Sequence, residues 1–316
     1  MNELDFSGRV AVITGAGGNP GLGRAYALLL ASRGAKVVVN DLGVGPDGRG
    51  RIGSGPDEVV ADIHAAGGEA VANYDSVADR DGAARVVSSA LDRWGRLDIV
   101  INNAGIAPFA MFDEISDHDI EQVVGVHLMG HIWMCRAAWP HMKANRYGRL
   151  VNVSSSVAFK GLPQQSIYSA AKLGVVGLTR ALAAEGAEHG IRANAIMPNA
   201  DTLAWQTMLS EDFSTGARKR GVVPEVVAPV AAWLAHEDCT YSGKILHTEA
   251  GGVKEVFFAT TTGTRPNPEL SLEDVGADIE LIVDRTDSAD VPDPGALPPG
   301  ALSFAPKPYN LRGRRI

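Results

Sequence analysis

The sequence predicts an α/β fold, a doubly wound, seven-stranded parallel sheet followed by a C-terminal extension. Three observations predict it. Short apolar runs rich in valine and isoleucine alternate with longer helical patterns from residue 9 to about residue 250. A glycine-rich turn follows the first run and opens the first helix. The residues with chemical potential fall just after the strands, so one edge of the sheet collects them.

The elements follow in order. Arg9-Val-Ala-Val-Ile-Thr14 reads as a strand covered on both faces, because parallel strands are continuous apolar runs. It runs into Gly15-Ala-Gly-Gly-Asn-Pro-Gly21-Leu22-Gly23 and a helix over 22–33. A strand over 36–40 ends at Asp41. A helix over 56–66 leads to a strand over 69–73, then Asp75-Ser76 and a helix over 79–94. A strand over 97–102 precedes Asn103, and a long helix over 117–143 carries His127. A strand over 148–153 precedes Ser155, and a helix over 166–189 carries Tyr168 and Lys172. A strand over 191–197, a helix over 224–235 and a strand over 244–248 complete the unit.

Strand, glycine turn, helix, strand and acid form the pattern of a dinucleotide-binding unit of the Rossmann type. Glycines let the backbone approach a pyrophosphate, and the helix N-terminus favours its negative charge. Asp41 is placed to accept hydrogen bonds from ribose hydroxyls and to repel a 2′-phosphate, which favours NAD over NADP. Its alternative role is that of a plain turn residue. Tyr168 and Lys172 stand four apart and share a helix face. A neighbouring ammonium stabilises a phenolate, so the pair predicts a tyrosine tuned to exchange a proton with an alcohol or ketone. Ser155 would hold the substrate oxygen.

These pieces together resemble the short-chain dehydrogenase/reductase family over about residues 5–252. The resemblance rests on Thr14-Gly15 with Gly21-Leu-Gly23, Asn102-Asn103-Ala104-Gly105, Asn152-Val-Ser-Ser155 and Tyr168-Ser-Ala-Ala-Lys172. It implies Ser155, Tyr168 and Lys172 as the catalytic set, with Gly15, Gly21, Leu22, Gly23, Asp41, Asp75, Ser76, Asn103, Tyr168 and Lys172 toward NAD. Val38-Val-Asn-Asp-Leu-Gly43, Val71-Ala-Asn-Tyr-Asp-Ser-Val77 and Pro198-Asn-Ala200 add a closer resemblance, to the (3R)-hydroxyacyl-CoA dehydrogenase part of the type 2 peroxisomal multifunctional enzymes. That resemblance implies oxidation of a (3R)-3-hydroxyacyl-CoA to the 3-oxo form. A dehydrogenase of free hydroxysteroids or other secondary alcohols is the first alternative, and a non-catalytic NAD-binding regulator the second.

The chain departs from the family pattern in three places. The glycine loop is two residues longer, with Asn19-Pro20 as the insertion, and Pro20 contributes no amide donor. His127 stands where the family often has an asparagine that supports a proton relay; it reads either as a relay group or as a buried core histidine. Pro198 is followed by Asn199, expected in the left-handed conformation glycine usually serves there. The segment 201–221 is expected to be a substrate loop. Trp205, Met208, Leu209 and Phe213 would form an apolar pocket there, with Arg218-Lys-Arg220 near a phosphate-bearing carrier, unless that triplet is a solvated turn.

The net charge of −8 and the absence of a basic tract argue against nucleic acid as the main partner. No apolar run is long enough to span a bilayer, and Met1–Val10 does not read as a leader, so a cytoplasmic location is expected. Cys135 and Cys239 read as reduced residues, and no metal site is expected from His127 and His131. The expected domains are residues 1–252, the dinucleotide-binding unit, and 253–316, an extension. Within the extension, Ser271-Leu-Glu-Asp-Val starts a capped helix with Ile279, Ile282 and Val283 on one side. The proline- and glycine-rich tail from Val291 reads as extended or disordered. By resemblance, the extension helps cover an active site across a dimer, and a homo-oligomer, dimer or tetramer, is expected. The glycine-rich stretch 42–55, with Arg49 and Arg51, is expected to be a flexible surface loop; contact with cofactor or CoA phosphates is the alternative.

Overall fold

A computed structural model describes residues 3–50, 55–208 and 210–293. The elements in chain order are β1 (Val10–Thr14), α1 (Leu22–Ser32), β2 (Lys36–Asn40), α2 (Pro56–Ala65), β3 (Glu69–Asn73), α3 (Arg80–Trp94) and β4 (Ile99–Asn102). Then come α4 (Asp117–Val124), a π-helical turn (Gly125–Met129), α5 (Gly130–Asn145), β5 (Gly148–Val153), α6 (Val157–Lys160) and α7 (Ser166–Gly186). The chain continues through β6 (Ile191–Asn199), α8 (Leu203–Met208), α9 (Glu211–Lys219), α10 (Pro224–Ala235) and β7 (Ile245–Glu249). It ends with β8 (Gly252–Glu255), β9 (Ala259–Thr260), α11 (Leu272–Ala277), α12 (Ile279–Ile282) and β10 (Ala289–Asp290).

The sheet order is β3-β2-β1-β4-β5-β6-β7-β8. The first seven strands are parallel, and β8 pairs antiparallel with β7, with Thr248 opposite Val253. The sheet therefore carries one strand more than the sequence predicts. Strand order reverses between β1 and β4, which opens a crevice at their carboxyl ends. Alternation along β1 shows how both faces are covered. Ala11 and Ile13 pack with Tyr26 and Leu30 of α1, Ile63 of α2 and Ala231 of α10. Val10 and Val12 pack with Val86 of α3, Met134 of α5 and Ala183 of α7. Each fully buried leucine or isoleucine stabilises the fold by about 1.5–3 kcal/mol.

Caps explain several boundaries. Asp79 accepts from the Gly82 amide at 2.7 Å and starts α3, which stops at Gly95 with φ 73°. The cap of α3 is thus Asp79, which leaves Asp75 and Ser76 outside the helix. Ser116 caps α4 by accepting from the Asp119 amide at 3.1 Å. The long helix expected over 117–143 is interrupted by the π-helical turn that carries His127, as happens often at functional positions. Asn199 closes β6 in extended conformation, and its Nδ2 donates to Glu249 Oε1 at 2.7 Å. The left-handed conformation expected there is absent because β7 extends the pairing through Asn199 and Glu249.

The segment expected to be an open substrate loop holds two short helices, α8 and α9. The Met208 side chain and Leu209 lie outside the described residues. In the extension, Ser271 and Asp274 form the expected capping box. The apolar side expected of the following helix is not buried: Ile279 and Val283 are exposed. The start of the tail is held down, since Arg180 donates to Pro292 O at 2.8 Å and Lys244 pairs with Asp293 at 2.8 Å. Residues 294–316, with most of the tail, lie outside the described residues. Cys135 and Cys239 are both free thiols buried in the fold. Among the described residues, no helix is long and apolar enough to cross a membrane.

Candidate active site

The residues singled out from the sequence meet around one cleft of about 900 Å³ at the carboxyl ends of the parallel strands. The glycine loop forms one wall, and at Gly15, Gly17, Gly21 and Gly23 its backbone is packed so closely that a side chain has no room. A Cβ on Gly23 would lie 2.4 Å from Gly15 O, and one on Gly21 would lie 2.4 Å from Gly18 O. Gly15 itself has φ 64°, and its Cβ would meet Ala104 at 2.6 Å. Asn103 braces this loop, its Nδ2 donating at 3.0 Å to both Thr14 O and Gly15 O. Leu22 begins α1 directly after Gly21, as expected.

Asp41 lies at the end of β2. Its carboxylate accepts from the Gly17 amide at 2.8 Å and from the Gly43 amide at 2.8 Å. One bond fills only one lone pair on each oxygen, so both oxygens retain acceptor capacity toward the cleft. Asp75 is held by Arg85 at 2.6 Å and accepts from Asn73 Nδ2 at 2.9 Å. Together these partners hold its carboxyl below the usual range, although burial opposes them and is the largest single effect. Ser76 stands beside it on the cleft wall. The stretch after β2 is anchored rather than loose: Pro46 O accepts from Ala107 N at 2.8 Å, and Arg49 pairs with Asp119 at 3.0 Å. Leu42 to Pro46 line the cleft, whereas Arg51 falls outside the described residues.

Opposite the glycine loop, β5 and α7 bring Ser155, Tyr168 and Lys172 together. Lys172 is 2% exposed, and its Nζ donates to Val153 O at 2.7 Å. No carboxylate pairs with it among the described residues, and burial lowers its pKa to about 7. Its Nζ lies 5.6 Å from the centre of the Tyr168 ring. The Tyr168 ring keeps some exposure to the cleft, yet burial pushes its pKa above the usual value while a hydrogen bond with Ser155 pulls the other way. The lowered tyrosine pKa expected from the four-residue spacing is therefore not found in the protein alone. Desolvation of the phenolate outweighs the Ser155 hydrogen bond.

His127 packs its ring edge-on against Tyr168, with centroids 4.9 Å apart. Its Nε2 faces the Ile106 carbonyl at 2.7 Å and the Ile106 amide at 3.1 Å, while Nδ1 is buried without a partner. Burial first, then Lys172, hold its pKa well below the usual value, so it is a neutral imidazole. Gly105 explains itself here, because a Cβ on it would meet His127 Cε1 at 2.6 Å.

Trp205 and Phe213 from α8 and α9 meet at 6.0 Å and line the far side of the cleft with Phe109 and Leu162. Arg218 does not reach toward a carrier. It pairs with Asp201 at 2.8 Å, a buried carboxylate that also accepts from Gln206 Nε2 at 3.0 Å. The inserted Pro20 joins the two loops, since its carbonyl accepts from Leu203 N at 2.9 Å. Sequence reasoning missed Phe109, Lys160, Leu162, Gln164 and Asp201. Lys160 ends the one-turn helix α6 and the others lie in irregular segments, so no periodicity marks them, although Gln164, with φ 65°, occupies a conformation that few non-glycine residues adopt.

A family model described as short chain dehydrogenase matches residues 9–208, and the chain belongs to that family. It is accordingly an oxidoreductase acting on CH–OH groups. The chain is 44% identical over 286 residues to the peroxisomal multifunctional enzyme type 2 of Mus musculus, covering 90% of this chain and 38% of that enzyme. It thus spans under half the length of that relative. It is 45% identical over 269 residues to a short-chain type dehydrogenase/reductase of Mycobacterium tuberculosis, covering 85% of this chain and 92% of that one. A solved carveol dehydrogenase from Mycobacterium avium, in complex with NAD, is 26% identical with a TM-score of 0.69, covering 79% of this chain and 99% of that one. The residues present fit a nicotinamide dinucleotide of the kind this family binds. Gly15, Gly17, Gly21 and Gly23 admit no side chain, which keeps the loop folded tightly beside the cleft, and Asp41 offers free acceptor positions next to it.

Proposed function

We propose that this protein is an NAD-dependent dehydrogenase that interconverts a (3R)-3-hydroxyacyl-CoA and its 3-oxoacyl-CoA. The observation that carries the reading is the convergence of Ser155, Tyr168 and Lys172 between a glycine-loop cradle and an apolar wall. Gly15, Gly21, Leu22 and Gly23 would hold the pyrophosphate, Asp41 the adenosine ribose, Asp75 and Ser76 the adenine, and Asn103 would keep the loop in shape. The carboxylate of Asp41 disfavours a 2′-phosphate, which supports NAD over NADP. When bound, the nicotinamide accepts the hydride that no side chain can accept.

Ser155 orients the reacting oxygen by a hydrogen bond. Tyr168 takes the hydroxyl proton during oxidation and returns it during reduction. Lys172 stabilises the phenolate and holds the nicotinamide ribose, with its Nζ positioned by Val153 O. His127 braces the Tyr168 ring, and it would take part in proton transfer only as a neutral imidazole. The wall of Trp205, Phe213, Phe109 and Leu162 accommodates an apolar acyl chain, including a bulky or steroid-like one. The thioester assignment rests on the sequence resemblance to the (3R)-hydroxyacyl-CoA dehydrogenase part of the type 2 peroxisomal multifunctional enzymes, and the 44% identity to the mouse enzyme of that name supports it. We further propose residues 1–252 as the catalytic unit, residues 253–316 as an extension that covers a partner's site in a dimer or tetramer, and a cytoplasmic location.

The test is NADH formation from NAD with (3R)- and (3S)-3-hydroxyacyl-CoA of short, medium and steroid-like acyl groups. Turnover of the R isomer is expected, falling roughly 10²–10⁴-fold in Tyr168→Phe. Turnover of free hydroxysteroids with no turnover of any thioester would overturn the acyl-CoA assignment and keep the chemistry.

A further inference from the structure

We infer that Lys160 is a specificity-determining residue that pairs with the phosphates of the substrate's nucleotide carrier; the inference rests on the CoA-thioester reading above. The charge distribution of the cleft points to it. Among the described residues, the lining carries two lysines, Lys160 and Lys172. Lys172 is buried beside Tyr168, in the reaction centre. Lys160 is exposed at the end of α6, on the wall shared with Val157, Leu162 and Gln164. The opposite, dinucleotide half carries Asp41 and Asp75. The dinucleotide occupies that half, so the phosphates of a second, substrate-borne nucleotide find their counter-charge at Lys160.

The lysine is also set on a fixed piece of backbone. Gly161 and Gln164 both take positive φ, 62° and 65°. The turn is closed by Gly161 N donating to Val157 O at 3.1 Å and Gln165 N donating to Leu162 O at 3.3 Å. Ser169 Oγ ties α7 back to the same Val157 carbonyl at 3.4 Å. A charge held on such a frame discriminates among ligands better than one on a mobile loop. The rival from the sequence is the basic triplet, but Arg218 is committed to Asp201 at 2.8 Å. Among the described residues no carboxylate pairs with Lys160, so its ammonium is available to a ligand. A lysine serves a phosphate as a point charge and needs no bidentate geometry.

The test compares kcat/KM for a 3-hydroxybutyryl-CoA with that for the matching pantetheine thioester, which has the same reacting carbons and no phosphate. In the unmutated enzyme the ratio favours CoA and falls as salt is added. In Lys160→Ala and Lys160→Gln the ratio drops about fivefold, and Lys160→Glu lowers it further. A ratio that survives all three changes would overturn this inference while leaving the thioester reading intact. An unmutated enzyme that turns over neither thioester would overturn that reading and this inference with it.

Discussion

The two ends of the parallel strands treat buried charge in opposite ways. At the amino ends, Asp98 is fully buried and saturated. It accepts from Val10 N at 2.9 Å and from Arg96 at 2.8 and 2.7 Å, with Arg9 at 3.5 Å. Arg149, equally out of water, donates to the carbonyls of Gly148, Gly190, His236 and Glu237. The Arg9 and Arg149 guanidinium carbons lie 3.8 and 4.3 Å from the Tyr147 ring centre. At the carboxyl ends, among the described residues, Lys172 has a backbone carbonyl but no carboxylate, and His127 Nδ1 and Asp201 Oδ1 are buried without partners. Folding alone favours the first arrangement, because an unsatisfied buried group costs about 1–3 kcal/mol. Retaining the second locates the chemistry: its polar atoms are left to meet groups that the chain does not supply.

The comparison breaks most visibly at Lys172. Replacing it with methionine should lower kcat/KM roughly 10²-fold or more, since a proton-transfer group loses its support. The same change should not destabilise the protein at neutral pH. Lys172 has a folded-state pKa of about 7, below its ordinary value of 10.5. Below about pH 7 both folded and unfolded chains carry the ammonium, and the folded chain bears the full penalty of burying it. Between about 7 and 10.5 the unfolded chain binds the extra proton, so stability rises with pH, by about 1.4 kcal/mol per unit for this one group. Urea unfolding of the native protein and of Lys172→Met across pH 6–11 checks this. The native curve should climb toward that of the variant, and parallel curves would show that Lys172 is not buried as a charge.

Asp98 tests the other end. Asp98→Ala removes the acceptor for Val10 N and both bonds to Arg96, while Arg9 keeps Glu237, so it should lose about 1–3 kcal/mol of stability. The folded fraction should keep the kcat/KM of the native enzyme, because the change lies at the opposite ends of the strands from the cleft. Denaturation midpoint and activity per folded molecule measure the two effects separately. A variant that folds normally but fails in catalysis would contradict the division between the two ends.

The carboxyl-end half of this contrast is legible in the sequence, the amino-end half is not, and the reasons are physical. The strands over 36–40 and 69–73 match β2 and β3 residue for residue: near-continuous burial writes β2 as an apolar run, and β3, only partly buried, still shows short apolar residues after the Gly67-Gly68 turn. The glycine loop, Asp41, Ser155, Tyr168 and Lys172 follow strands or helix starts, so spacing alone brought them to one cleft. β8 was invisible because every residue in it is exposed and its stability comes from pairing with β7. The helix α9 was missed although Ser210, followed by Glu211 and Asp212, is an ordinary start signal. Spacing reports the cation beside Tyr168 and says nothing of how much protein surrounds the phenol, whose burial pushes its pKa up. Lys160 and Gln164 carry no pattern at all, and only the fold places them on the cleft wall.

The smallest effect sharpens the comparison on the cofactor side. Arg49 is an exposed cation that bridges the segment after β2 to Asp119 in α4, across the entrance lined by Leu42 and Pro46. An exposed pair contributes about 1 kcal/mol at most, so Arg49→Ala should barely move the unfolding midpoint. The Pro46–Ala107 hydrogen bond still anchors the segment in the variant. What the bridge adds is a second attachment, and its loss should show as faster release of bound dinucleotide, a few-fold in the dissociation rate. Stopped-flow displacement of NADH measures that rate directly. A variant with an unchanged rate would mean that the segment is held by its backbone alone, and that even at the carboxyl ends a satisfied surface pair contributes little to function.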